Sequence, residues 1–300
     1  MIAQKNVERL SVVLLISVFL CFYYGKIILS PNSYLSSDAG DGIMINTCIA
    51  GHIRNDMDYT NFRNMNYPYG QMHIFTGGQT LFAQVIKFFA TFSPWFVTHS
   101  IGIINLMMII SYAGCSFFLC LILQKLRLPF LFVVLGSVGI TMLSPQIFRM
   151  QGHPELCYAV FFPLVWWLFI KFFESEKKFL YSFLMIVNSI FWFFVCPYYV
   201  MLSAVFYIAC YGVILIQRKK YFSIHPSRII AAVLQIALPL IITRIYISFA
   251  DTHQFRPQHP WGFSEYYASI STVFAPVGPP LEKIFQKIFL MEDRHWEGWA

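Results

Sequence analysis

Residues 101–123, IGIINLMMIISYAGCSFFLCLIL, contain no Asp, Glu, Lys or Arg. A helix rises about 1.5 Å per residue and the hydrocarbon core of a bilayer is about 30 Å thick, so roughly 20 such residues cross it. A water-exposed helix of this length carries a charged face, and this stretch has none. Lipid is therefore its solvent. Working outward, Lys125 and Arg127 close the run, and further apolar runs follow at Phe130 to Leu143, Leu156 to Phe173, Phe179 to Val195, Tyr199 to Ile216 and Ile229 to Phe249. Upstream lies Leu10 to Leu29, preceded by Lys5 and Arg9. That opening imitates a secretory signal. The run exceeds the roughly 7–15 residues of a signal core, no A-x-A site follows, and more spans come after it, so it is read as the first span. The expectation is an all-α polytopic transmembrane helix bundle of about seven spans, the third of them short.

Composition agrees. The 300 residues are 58% hydrophobic and 12% charged, against about 25% charged in soluble domains. The formal charge of +7 is no nucleic-acid signal here, because the cations collect in short gaps between spans. Lys5 and Arg9; Lys125 and Arg127; Lys171, Lys177 and Lys178; and Arg218, Lys219, Lys220 and Arg228 mark the cytoplasmic side by the positive-inside rule. The seven cysteines form no C-x-x-C and lie mostly in apolar runs as small hydrophobes.

Most of the acids fall on the opposite side: Asp38, Asp41, Asp56, Asp58, Glu155, Asp251, Glu265, Glu282, Glu292, Asp293 and Glu297, with only Glu8, Glu174 and Glu176 inside. Most histidines share that side. Two long segments lie there as well, 30–98 and 251–300, and both exceed ordinary connector length, which points to function. Short amphipathic helices are expected within them: Gly42 to His52 opened by Asp41, Thr80 to Phe92 on the membrane surface, and a stripe after Pro280. Residues 1–250, with the first long segment, are read as the bundle. Residues 251–300 form the second outer loop, which breaks off at Trp299-Ala300 as if a longer protein continued.

Five constellations carry potential chemistry. In Ser36-Ser37-Asp38-Ala39-Gly40-Asp41-Gly42, two carboxylates beside glycines either supply a base or hold a cation, or else form a turn and a helix cap. Asp56-Met57-Asp58 is a DxD string, either a Mg or Mn site through oxygen ligands or a solvated loop. Tyr67 and Tyr69 in NYPYG either stack on a sugar ring or anchor at the interface. Arg149, His153 and Glu155 gather a phosphate clamp, a base and an acid in one short hairpin, or simply cap it. In the last segment, Arg256 sits among His253, His259, Trp261 and Glu265, a set suited to head groups or to an interfacial belt. No GxGxxG, Walker A, HExxH or GxSxG occurs, which disfavours a nucleotide-driven pump.

This layout of one span, a long acidic outer loop, short-looped spans and a second outer loop resembles the GT-C type of membrane glycosyltransferases, which draw sugars from polyprenyl phosphate. The strings DAGDG, NYPYG, GHPE and WEGWA are similar to those of bacterial polytopic proteins allied to that superfamily. The resemblance implies inverting transfer at the outer face of a bacterial plasma membrane, from a polyprenyl-phosphate sugar to a glycan, glycolipid or protein acceptor. It implies Asp41 as base with Asp38 in support, and Arg149, His153 and Arg256 on the departing phosphate. Cation dependence varies among such enzymes, so the resemblance leaves a divalent cation, Mg or Mn, open and implies no other cofactor. The chain departs from the pattern at Gln71, where an acid is expected after NYPYG. A transporter or flippase of lipid-linked sugars and a non-catalytic envelope assembly protein are the alternatives. The orientation has a direct check: a cysteine placed at position 41 is expected to react with a membrane-impermeant maleimide from outside intact cells, and labelling only after lysis reverses the topology.

Overall fold

The computed structural model describes residues 2–37, 40–217, 226–253 and 287. In chain order the elements are α1 (Ile2–Leu29), α2 (Gly40–Asn55), β1 (Asn61–Phe62), β2 (Gln71–Met72), α3 (Thr80–Ala90), α4 (Trp95–Thr98), α5 (Ser100–Leu123), α6 (Phe130–Met142), α7 (Gln146–Gly152), α8 (Phe161–Glu174), α9 (Lys178–Phe193), α10 (Tyr198–Gln217) and α11 (Pro226–Ala250). The architecture is an all-α polytopic bundle. Its one sheet among the described residues is the two-residue antiparallel pair β1/β2, with Asn61 opposite Met72.

Among the described residues, six helical stretches are long and apolar enough to cross a membrane: Ala3–Leu29, Ser100–Leu126, Phe130–Gly152, Pro154–Glu174, Tyr198–Ile216 and Ile229–Ala250. Two differences from the sequence reading have simple causes. The expected span at 179–195 is α9, whose 16 residues rise only about 24 Å. It is apolar but short. The run at 130–143 reaches spanning length because the chain turns at Ser144-Pro145 and continues helically as α7.

The bundle is organised around α5, which packs on α1, α6 and α8. On α1 the residues Val12, Ile16, Leu20 and Tyr24 recur every fourth position and are all buried, forming the stripe that faces this core. Helix α9 packs against α8, α10 and α11, and a dense aromatic layer of Phe161, Trp192 and Tyr199 joins α8, α9 and α10. Residues Met1–Thr252 constitute one compact unit and His253–Ala300 another.

The 30–98 segment is built into the bundle rather than draped outside it. Ile45, Ile49 and Ile53 of α2 join Phe82, Ala83 and Ile86 of α3 in the same apolar core as α5. Helix α3 is thus half-sunk, with Val85, Phe88 and Phe89 on its exposed side. Beneath this layer is a buried polar knot. His52 Nδ1 donates to Asp56 Oδ2 at 2.7 Å, the His52 ring stacks on His73 with centroids 4.1 Å apart, and His73 Nδ1 meets Thr80 Oγ1 at 3.1 Å. Burial holds both imidazoles below the ordinary histidine range, and at His52 it outweighs the pull of Asp56. Both rings are neutral. Removing the acceptor by Asp56→Ala leaves a buried N–H unpaired, which costs about 1–3 kcal/mol; thermal unfolding in detergent is expected to shift down by several degrees.

Candidate functional site

The site is assembled where α2 begins and α7 ends. Leaving α1, the chain is fixed to the top of α5 by two amides. Asn105 Nδ2 donates to the carbonyls of Pro31 at 2.9 Å and Tyr34 at 2.8 Å, and Gly102 N donates to Asn32 Oδ1 at 2.8 Å. A side chain at Gly102 would collide with that Asn32 oxygen. Further along, Asn46 Nδ2 donates to Ser36 Oγ at 3.1 Å, tying the approach back onto α2.

Gly40 opens α2 with φ +56, a backbone region that favours glycine. Asp41 therefore lies inside the first turn rather than ahead of it as a cap. Its carboxylate is 64% exposed. Gly42 makes the decisive approach: a Cβ there would fall against the Ser37 side chain and 2.5 Å from the Gln151 carbonyl oxygen. Only a glycine lets the start of α2 sit on the end of α7.

That seating brings together three of the residues singled out in the sequence. His153 Nε2 lies 4.0 Å from Asp41 Oδ2, a charge contact longer than a hydrogen bond. On the ring's other side, His153 Nδ1 points at Glu155 Oε1, 3.5 Å away. Glu155 is buried in the turn after α7 with its side chain only 8% exposed, packed beside Gly77, and its Oε2 has no hydrogen-bond partner. The hydrogen bond to Glu155 raises the pKa of His153 above the usual histidine value, against burial and the nearby Arg149 cation, with Asp41 adding to the effect. An imidazole whose charged form Glu155 favours is thus held between two carboxylates at an open rim.

The remaining expected residues fall elsewhere. Asp38 and Arg256 lie outside the described residues, as does the stripe after Pro280. Arg149 is on α7, one turn before His153, whose amide donates to the Arg149 carbonyl at 2.8 Å. Tyr67 and Tyr69 are exposed at the tip of the β1/β2 hairpin.

The DxD carboxylates are engaged by separate protein partners. Asp56 accepts from His52 and, at 3.2 Å, from the Arg63 amide. Asp58 accepts from the Asn61 and Thr60 amides at 2.7 and 3.2 Å and pairs with Arg63 at 3.6 Å. Their oxygens are spent on the turn that shapes the hairpin, and among the described residues no three His, Cys, Asp or Glu side chains converge as a ligand set. Asp56 is also buried, so it is not part of a solvated loop.

Sequence reasoning missed Lys87, whose ammonium donates to the Asp58 carbonyl and whose burial holds it below the ordinary lysine range. It also missed the stacking of His52 on His73. The spacing of His52 and Asp56, four residues apart, was the available signal for that pair. The charge state of His153 has a definite pH dependence. Because the folded pKa is raised, the cation is complete at low pH and is lost as pH climbs through the raised value. Glu155→Gln removes the largest cause, so histidine NMR in nanodiscs, assigned with His153→Asn, is expected to show His153 titrating at lower pH than in the parent protein.

No curated protein and no solved structure matches the chain. A family model does, over residues 12–300, and its description is Domain of unknown function (DUF6311). That match takes in nearly the whole sequence, from the first span through both long segments, and the chain belongs to this family.

Proposed function

We propose that the protein is a membrane glycosyltransferase that moves a sugar from a polyprenyl-phosphate donor to an envelope acceptor on the non-cytoplasmic face of a bacterial plasma membrane. The observation that carries this reading is the exposed Asp41 carboxylate 4.0 Å from a His153 ring whose other nitrogen faces the buried Glu155, a neighbour that raises its pKa. Displacement at an anomeric carbon needs a base for the acceptor hydroxyl and positive charge for the departing phosphate. Asp41 supplies the first, and His153, whose charged form Glu155 favours, supplies the second at the same rim.

In this mechanism the acceptor oxygen attacks the anomeric carbon from the face opposite the phosphate. The new C–O bond forms as the bond to the phosphate oxygen breaks, with inversion. Asp41 takes the hydroxyl proton. His153, with Arg149 one turn back on α7, balances the charge gathering on polyprenyl phosphate. Glu155 orients the imidazole through Nδ1, so that Nε2 faces the reaction. Asp38, by its place in the sequence beside Asp41, supports the base. The exposed hairpin rings of Tyr67 and Tyr69 offer stacking surface to a sugar or an acceptor glycan. The DxD donors do not fit a divalent cation, and no step is routed through one.

The test uses radiolabelled polyprenyl-phosphate sugars with the full-length protein in liposomes. Wild type is expected to transfer label to an acceptor, and Asp41→Asn to lower the rate by about 100-fold or more, the usual worth of a positioned base. Transfer untouched by the substitution removes Asp41 from the mechanism. Movement of intact donor across the bilayer, equal in both proteins and without transfer, overturns the enzyme reading in favour of a transporter.

A further inference from the structure

At the far end of α5 from the Asn105 clamp, about 28 Å along the helix by its rise per residue, lies a polar cavity that the proposed transfer does not use. Its volume is about 680 Å³. The walls come from the first turns of α1, from the turn that leaves α5 at Gln124, and from Glu174 at the end of α8. This is the end of the bundle whose cations mark it as cytoplasmic.

One buried amide frames the opening. Gln124 Nε2 donates to the Lys5 carbonyl at 2.9 Å and to Glu8 Oε2 at 2.7 Å, while its Oε1 accepts from Arg9 Nε at 3.3 Å. The start of α1 is thereby held against the end of α5. Both acids of the wall are already engaged by the protein. Glu8 is buried and takes an amide hydrogen on each oxygen, from Gln124 and, at 3.4 Å, from Gln4. Glu174 pairs with Lys125.

Two cations are left over. Lys5 and Arg127 both line the cavity, and neither pairs with a carboxylate among the described residues. The lip beside them is apolar. Leu128 lines the cavity and is exposed, and the exposed Leu131 and Leu135 follow on α6, a turn apart. Helix α6 belongs to a stretch long and apolar enough to span a membrane, so the lip passes directly into lipid-facing surface.

This pairing of features selects a ligand. A soluble anion would satisfy the two cations but make no use of the leucines. A phosphate carried on hydrocarbon satisfies both. The guanidinium fork matches two phosphate oxygens at once, and a lysine adds a point charge. Basic pockets between spans at the cytoplasmic surface also draw anionic headgroups through the negative potential of that leaflet.

We propose that this cavity binds the phosphodiester headgroup of an anionic phospholipid. Arg127 and Lys5 hold its non-bridging oxygens, and its acyl chains run past Leu128 along Leu131 and Leu135 of α6. The site is separate from the Asp41 rim and stands or falls independently of the transfer reading.

Native mass spectrometry of the delipidated full-length protein in detergent, titrated with phosphatidylglycerol, tests this. One equivalent is expected to bind ahead of all others. In the double variant Lys5→Gln with Arg127→Gln that equivalent is expected to weaken about 30-fold, two cations at the usual worth of a basic side chain beside an anionic surface. Lys171→Gln with Lys178→Gln removes the same charge from the same end of the bundle but outside the cavity, and is expected to leave it unchanged. Equal weakening by both pairs means diffuse attraction and overturns the proposal. So does a wild-type protein that takes up zwitterionic phosphatidylethanolamine as tightly as phosphatidylglycerol, a result that needs no variant to fold. Inorganic phosphate is the last probe: it is expected not to displace the lipid at millimolar concentration, and displacement overturns the lipid assignment in favour of a soluble anion.

Discussion

Where the chain leaves α1 it must turn beside apolar helices, with backbone carbonyls that need donors. Asn105, near the start of α5, supplies them to Pro31 and Tyr34 together. This amide clamp fixes where the chain runs next. With Asn32 held on the Gly102 amide, the path delivers residues 36 and 37 to the start of α2, so that Gly42 can press on Ser37 and the Gln151 carbonyl. The approach of α2 to α7, and with it the meeting of Asp41 with His153, follows from that anchoring. Remote hydrogen bonds thus set a contact between residues more than a hundred positions apart in the chain.

The long segment between α1 and α5 resolves an apparent conflict between polarity and burial. It holds acids and histidines, yet much of it packs into the core. Its charges stay affordable because they are taken up locally: Asp56 by His52 and the Arg63 amide, and Asp58 by two amides and Arg63. Neutral, stacked imidazoles let His52 and His73 lie beside isoleucine without unbalanced charge. By contrast, Asp41 and His153 keep partial access to solvent at the rim. The same residue types therefore serve scaffold in one place and candidate chemistry in another, and burial separates them.

Glu155 ties the rim to the buried turn after α7. One oxygen faces His153 at the rim, and the other is buried without a hydrogen-bond partner. A carboxylate so placed favours the charged form of the imidazole beside it.

The sequence by itself determined the solvent of the protein, its helical class and most of its spans, because the hydrocarbon thickness sets a run length that composition either meets or does not. It also marked Asp41, His153 and Glu155, since acids and histidines beside spanning runs are conspicuous. Tertiary structure decided what those marks meant. Asp56 and Asp58, two residues apart, looked like a cation site, but hydrogen bonds to amides and to His52 turn them to separate tasks. Asp41 and His153 look unrelated in the chain and become neighbours only because a glycine lets two helix ends touch. Local spacing is legible in a sequence; the direction in which a carboxylate oxygen points is set by donors arriving from elsewhere in the fold.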